Sequence, residues 1–176
     1  MIIHSSHNKI SQYTSIRKGE TKLGEVISHS NQDILSEDDL DHKLKSVTAK
    51  YVILGIPEDI GVRANMGKKG TRNGYDTFLR YFVNIQKNDF IDISKSYILG
   101  EIYVEDLLEK SDKTEDIEIW RQLTSEVDDR VSPVISQIVK LGKIPIVIGG
   151  GHNNSYGNIK GVSLALQRPI SVVNID

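Results

Sequence analysis

The stretch Ile144-Pro-Ile-Val-Ile-Gly-Gly-Gly-His152-Asn-Asn-Ser-Tyr-Gly157 decides how this chain is read. Ile144 to Ile148 is a short apolar run of the kind shown by a strand buried on both faces, and it ends on glycine. Three glycines in a row raise the entropy lost on folding, so they belong where the backbone turns sharply or where something approaches it closely. From Tyr156 to Leu166 the pattern is helical. Strand, glycine bend and helix place His152 at the carboxyl end of a strand, where open parallel sheets gather their ligands. A neutral imidazole there is a good ligand for Mn, Zn, Fe or Ni. Capping of the following helix, or service as a satisfied core histidine, stands beside that reading. Phosphate binding at the helix start is a weaker rival, because Gly149-Gly-Gly-His-Asn-Asn lacks both the Gly-x-Gly-x-x-Gly spacing and a Gly-Lys-Ser/Thr.

Upstream the same alternation recurs. Tyr51-Val-Ile-Leu-Gly-Ile-Pro57 is an apolar run ended by Gly and Pro, a buried strand, and Glu58 to Asn73 follow as a loop rich in Gly and charge. Tyr75, Phe78, Leu79, Phe82 and Val83 then mark one buried stripe of a helix over Tyr75 to Ile85. Tyr97 to Tyr103 is a second strand, and Val104 to Glu109 a short helical turn. Trp120, Leu123, Val127, Val131, Val134, Ile135, Ile138 and Leu141 recur at steps of three and four, so Glu115 to Leu141 is one amphipathic helix or two in line. Pro133 either opens the second of these behind an N-cap at Ser132 or kinks a continuous helix, and Gly142 stops it. Ile170 to Ile175 is expected as a fourth strand, carrying Asp176 at its end. A carboxylate there is either desolvated at a cost of several kcal/mol or paired, and a cation pairs it; otherwise Asp176 is simply a last residue without a special role. Strands alternating with helices make the fold α/β, with a parallel sheet covered on both faces.

Residues 1 to 49 are polar and weakly periodic, with His4, His7, His29 and His42 at no shared spacing, so these histidines are expected to be solvated or locally paired. Ser36-Glu-Asp-Asp39 has the pattern of a capping box opening a helix to about Val47. The whole chain has 176 residues, enough for one domain with a real core. With 26% charged residues and a net charge of −2, it carries no electrostatic footprint for nucleic acid or an anionic membrane. There is no cysteine, which excludes disulfides and thiolate metal sites. No apolar run approaches the about 20 residues that cross a bilayer, and the first residues do not have the form of a secretory signal, so a cytoplasmic location is the default expectation.

At the glycine-histidine turn the chain resembles the ureohydrolase family of arginase, agmatinase and formimidoylglutamase. Its members carry Gly-Gly-x-His at a strand end, matched by Gly149-Gly150-Gly151-His152, and then an apolar strand ending in Asp-Ala-His-x-Asp, whose first Asp corresponds to Asp176. Gly55-Ile-Pro-Glu-Asp-Ile-Gly61 is similar to the family's Gly-x-Pro-x-Asp-x-Gly segment. With Asn153-Asn154 it looks most like a bacterial formimidoylglutamase-like branch. The resemblance runs from about residue 50 to the end.

The resemblance implies a three-layer αβα fold with a mainly parallel sheet, incomplete at its C-terminal side. The 176 residues would be the N-terminal portion of one domain, divided into the polar segment 1–49 and the αβ units 50–176. It implies a pair of Mn²⁺ ions bridged by hydroxide, acting on the carbon of a guanidino or formimidoyl group of a small-molecule substrate. Formimidoylglutamate, arginine and agmatine are the candidate substrates. His152 and Asp176 would be metal ligands, two of the six the family uses, so the fragment is expected to hold manganese weakly or not at all and to be inactive alone. Arg63, in the loop after the first strand, could clamp a substrate carboxylate, or pair structurally with Glu58 or Asp59. Asn153 and Asn154 could bind substrate or a water beside it, or cap the helix from Tyr156. An unpaired sheet edge implies a homo-oligomer or docking. The alternative to an enzyme fragment is a non-catalytic α/β binding or assembly module with a degenerate metal site; a nucleotide binder using the glycine turn is a third.

Overall fold

The computed structural model describes residues 2–175, so Asp176 lies outside the described residues. Three strands form the body of the sheet: β3 (Tyr51–Ile56), β4 (Ser96–Ile102) and β5 (Ile144–Gly149). They are mutually parallel with β3 in the middle, Tyr51 facing Ser96 on one side and Ile144 on the other. Two short strands, β1 (Ile3–His4) and β2 (Ser28–His29), close the far edge of β4, β1 antiparallel against Glu101 and Ile102 and β2 parallel against Tyr97 and Ile98. Gly100 sits at φ +136 where the β3–β4 register slips, and a side chain there would run into the carbonyl of His4 on β1. Only glycine meets both demands.

The alternating pleat sends side chains of one strand to two cores. Val52, Leu54 and Ile56 join Tyr97 and Leu99 beneath α3 (Glu37–Ser46), α6 (Glu105–Asp112) and α7 (Ile117–Lys140). Ile53 and Ile98 face the other way, onto α1 (His7–Tyr13), α2 (Leu23–Val26) and α5 (Gly74–Phe82). This is the three-layer α/β arrangement read from the sequence.

The connection from β3 to β4 runs through α5 on one face, and that from β4 to β5 through α6 and α7 on the other. The chain therefore reverses its direction of winding between β3 and β5. The carboxyl ends of those two adjacent strands form the switch point at which doubly wound sheets open a crevice. Ile56 pairs with Gly149 at its floor.

Several elements differ from the sequence expectation. Glu58 to Asn73 is not simply a loop: it holds the helix α4 (Ile60–Ala64) and a 3₁₀ turn at Thr71–Asn73, both too short to leave a periodic signal. α7 runs unbroken for 24 residues through Pro133, settling that question in favour of one continuous helix. α8 (Asn154–Leu166) starts two residues earlier than expected. Ser36 caps α3 as read, its hydroxyl accepting from Asp39 N at 3.1 Å. Residues 1–49 are less polar in role than in composition, because Ile3, Ile10, Leu23, Ile27, Ile34, Leu40 and Leu44 are all buried.

The fourth strand is a correction. Residues 170–175 join no ladder, and Val172, Val173 and Ile175 are 55%, 85% and 92% exposed. Their apolar pattern suits a strand, but a strand also needs a neighbour's backbone groups and a covering layer, and this segment has neither here. β5 is accordingly an edge among the described residues, with Ile144 and Ile146 part exposed.

Candidate functional site

The crevice between the ends of β3 and β5 is built around a buried carboxylate. Glu58, which follows β3, is 0% exposed. Its Oε2 accepts from the backbone N–H groups of Ile60 (2.7 Å) and Gly61 (3.2 Å), the first donors of α4, where an anion is favoured. Its Oε1 accepts from Gly151 N (2.8 Å), Asn154 Nδ2 (2.9 Å) and Asn153 Nδ2 (3.3 Å) on the other strand end. Five donors on two loops thus converge on one side chain. From the sequence Glu58 is expected only as a candidate partner of Arg63; its place just ahead of the first N–H groups of α4 is the signal for a larger role.

His152 stands in the middle of that turn. The backbone is fixed on either side of it: Asn154 N donates to Gly151 O at 3.1 Å, and Ser155 N to His152 O at 3.1 Å. Gly61 and Gly151 leave room for the Asn153 amide, which any Cβ at either position would strike. The imidazole itself is exposed and borders two openings. The larger, about 660 Å³, is also lined by Gly61, Val62, Asp128, Asn153 and Tyr156; the smaller, about 270 Å³, by Gly149, Asn154, Asn158 and Asn174.

Asn153 and Asn154 are placed beside His152 with their amide N–H groups turned onto Glu58. Asn153 occupies the N-cap position of α8 without a capping hydrogen bond from its side chain. Among the described residues its Oδ1 is buried and unpaired, as is Asp128 Oδ1 on α7. Burial is the main influence on Asp128; it outweighs the lowering effects of the Gly157 N–H and Lys160 and pushes the carboxyl up to about 6.

Arg63 lies elsewhere. At 3% exposure it points inward, where its Nη1 donates to Ser111 O and Asp112 Oδ1 at 3.0 Å each, its Nη2 reaches Ser111 Oγ, and Asp59 Oδ1 lies 3.3 Å away. Its guanidinium also lies over the Trp120 ring, 5.4 Å from the centroid. Its donors are spent on α6 and on Asp59, which is the structural pairing and not the substrate clamp. Arg72 completes this cluster by gripping Asp59 and Asp112 together. Asp59 is raised by burial, yet hydrogen bonds from Arg72 and Gly70 and the charges of both arginines take it below the ordinary carboxylate range.

Three of the four histidines of the N-terminal segment are paired within it: His4 Nδ1 lies 2.9 Å from Asp33 Oδ2, and His7 Nδ1 2.9 Å from His29 Nε2.

A manganese site draws on several oxygen and imidazole donors at once. Among the described residues no group of three or more His, Asp or Glu side chains is gathered to hold a metal ion. His152 offers one imidazole; Asp128 and Asn153 line the same opening, but the unpaired oxygen of each is buried. That set does not fit a metal pair.

Comparison with known proteins gives the geometry a context. The model of a family described as the arginase family matches residues 49–176. The formimidoylglutamase of Clostridium tetani is 30% identical over 149 residues, covering 81% of this chain and 38% of that protein. The formimidoylglutamase of Chromobacterium violaceum is 28% identical over 125 residues, covering 70% of this chain and 35% of that protein. The chain thus spans little more than a third of the length of these relatives. Among solved structures, the Trypanosoma cruzi formiminoglutamase with Mn²⁺ superposes with a TM-score of 0.51 at 23% identity, covering 83% of this chain and 41% of that one, a likeness of fold. Among the described residues no helix is long and apolar enough to cross a membrane.

Proposed function

Because this chain belongs to the arginase family, we propose that it forms the N-terminal part of a manganese-dependent hydrolase of guanidino or formimidoyl carbon-nitrogen bonds, with formimidoylglutamate as the favoured substrate. The observation that carries the proposal is the pinned turn at the β3–β5 switch point, which leaves the His152 imidazole exposed while its backbone neighbours are held. A metal ligand needs that combination of fixed backbone and unused ring nitrogen. The relatives named formimidoylglutamases support the choice of substrate over arginine and agmatine.

In this reading His152 supplies one ligand and Asp176 a second. Asn153 and Asn154 lie on the substrate side of the turn in this reading, their amide N–H groups holding it to Glu58. Arg63 does its work at one remove, holding α4 against α6. Since the described residues gather no complete donor set, the 176-residue chain alone is expected to hold manganese weakly and to be inactive.

The test joins this chain to the remaining C-terminal part of the Clostridium tetani relative and measures formamide release from formimidoylglutamate in the presence of Mn²⁺. Turnover by the joined protein is expected, with loss of at least about a hundredfold on His152→Ala, as for removal of a metal ligand or its close support. Turnover by the 176-residue chain alone overturns the fragment reading. A joined protein that folds but is unaffected by His152→Ala overturns the ligand assignment and favours a non-catalytic module.

A further inference from the structure

We infer that Glu58 is the positioning residue of this site: one buried carboxylate sets the direction in which the His152 imidazole is presented. The inference deepens the proposed function and rests on it for its purpose, but its geometry stands without a metal.

A buried carboxylate is costly unless its oxygens are satisfied, and a hydrocarbon side chain would fill the same space without that cost. What a carboxylate alone does here is accept from two loops at once. Oε2 is committed to the start of α4 through Ile60 and Gly61. Oε1 is committed to Gly151, immediately before His152, and to Asn153 and Asn154, immediately after it. No lysine or arginine side chain donates to it among the described residues, so the hold comes from five directed N–H groups rather than from one mobile cation. None of the five belongs to His152, whose ring makes no hydrogen bond among the described residues. The residues on both sides of the histidine are therefore tied to one rigid point on the neighbouring strand end.

This arrangement makes the isosteric amide informative. In Glu58→Gln, one of the two oxygens becomes an NH₂ group that must face donors, so either the α4 side or the Gly151 side loses its acceptor. The experiment uses the 176-residue chain without manganese or substrate. It follows amide hydrogen exchange at Gly151 against Ile146 in β5, and the ring resonances of His152 by NMR. In Glu58→Gln the Gly151 amide is expected to exchange about tenfold faster while Ile146 changes little, with the His152 signals shifted and broadened by new conformers. Asn154→Ala, which removes one donor and leaves the carboxylate, should move both readouts the same way by a smaller factor, and it serves if Glu58→Gln does not fold. Uniform acceleration of Gly151 and Ile146 with unchanged His152 signals would show a merely structural brace and overturn the inference. Because no metal is present, a positive result here together with an inactive joined protein would separate failure of the functional reading from failure of this one.

Discussion

Arg72 grips the buried carboxylate of Asp59 through two hydrogen bonds of 2.8 Å, from Nε to Oδ2 and from Nη2 to Oδ1. Asp59 is fully buried and Arg72 about one-quarter exposed, so the pair sits at the boundary where removing one partner leaves the other charge poorly solvated. Arg63 remains near Asp59 at 3.3 Å and softens the loss. Arg72→Ala is expected to destabilise the chain by roughly 2–4 kcal/mol, and Arg72→Lys by less, because lysine keeps the charge but cannot form the fork. Urea unfolding of the three proteins measures this. Equal stability of Arg72→Ala and the parent would place the pair among the many surface contacts worth nothing.

Gly161 on α8 packs against α7 so closely that a Cβ there would come within 2.7 Å of both Ile135 Cβ and Ser132 O. Gly157, one turn earlier, lies over Val131 with a Cβ contact of 3.1 Å. The two glycines let the helices approach at short range. Gly161→Ala gains helix propensity of about 1 kcal/mol but must push backbone apart, so a net loss of roughly 1–3 kcal/mol is expected. Gly157→Ala should cost less, since its neighbours are side-chain atoms that can shift by tenths of an ångström. Thermal unfolding that ranks them the other way would mean that α7 and α8 can slide.

The strands β3, β4 and β5 and the helices α5, α7 and α8 were legible because each is long enough to express its own period. Much of the rest depends on pairing across the chain. Ile3 is buried because Ile3 N and O bond Ile34 at 2.9 Å and the strand lies on Ile102, relationships invisible in a polar, aperiodic segment. His152 was legible from its glycines; Glu58 was not, since a charge after Gly-Ile-Pro looks solvated until the β5 turn is brought against it. Arg63 had two readings, a clamp at the crevice or a structural pair with Glu58 or Asp59; α4 turns its guanidinium to Asp59 and toward Ser111 and Asp112, 48 and 49 residues away. The segment 170–175 was over-read for the opposite reason: local pattern cannot supply a missing neighbour.

Asp128 gives the chain a pH dependence. Its carboxyl is held up at about 6 by burial, against an ordinary value of 3.8, so the folded state binds a proton more tightly than the unfolded one between those values. Stability from this group is therefore full below about pH 4, falls as pH rises through the window, and reaches its lower plateau above about pH 6, a total of roughly 3 kcal/mol. Asp128→Asn removes the titration. It is expected to be more stable than the parent at pH 7.5 by roughly 2–3 kcal/mol and to show no advantage at pH 4. Denaturation at the two pH values gives the difference; an advantage that is the same at both would mean that Asp128 finds a hydrogen-bond donor when ionised.

The open edge of β5 bears on how the chain behaves in solution. Ile144 and Ile146 are 42% and 39% exposed, and Val172, Val173 and Ile175 add further apolar surface on an unpaired segment. An edge with free N–H and C=O groups beside apolar side chains is a template for another strand, and the chain's modest net charge of −2 offers little repulsion. Pro145 lacks an N–H and blunts one position of that edge without closing it. A second copy of the chain is the expected occupant, through pairing of β5 edges or of the segment 171–175 with β5. Light scattering should therefore report a mass that rises with concentration, and Ile146→Lys or Val173→Lys should return it toward the monomer, because burying an ammonium at a strand edge opposes pairing. The two variants separate the routes: Val173→Lys alone is effective only if the segment takes part. A single monomeric mass at high concentration would mean that the edge is protected, and the expectation of self-association would fall.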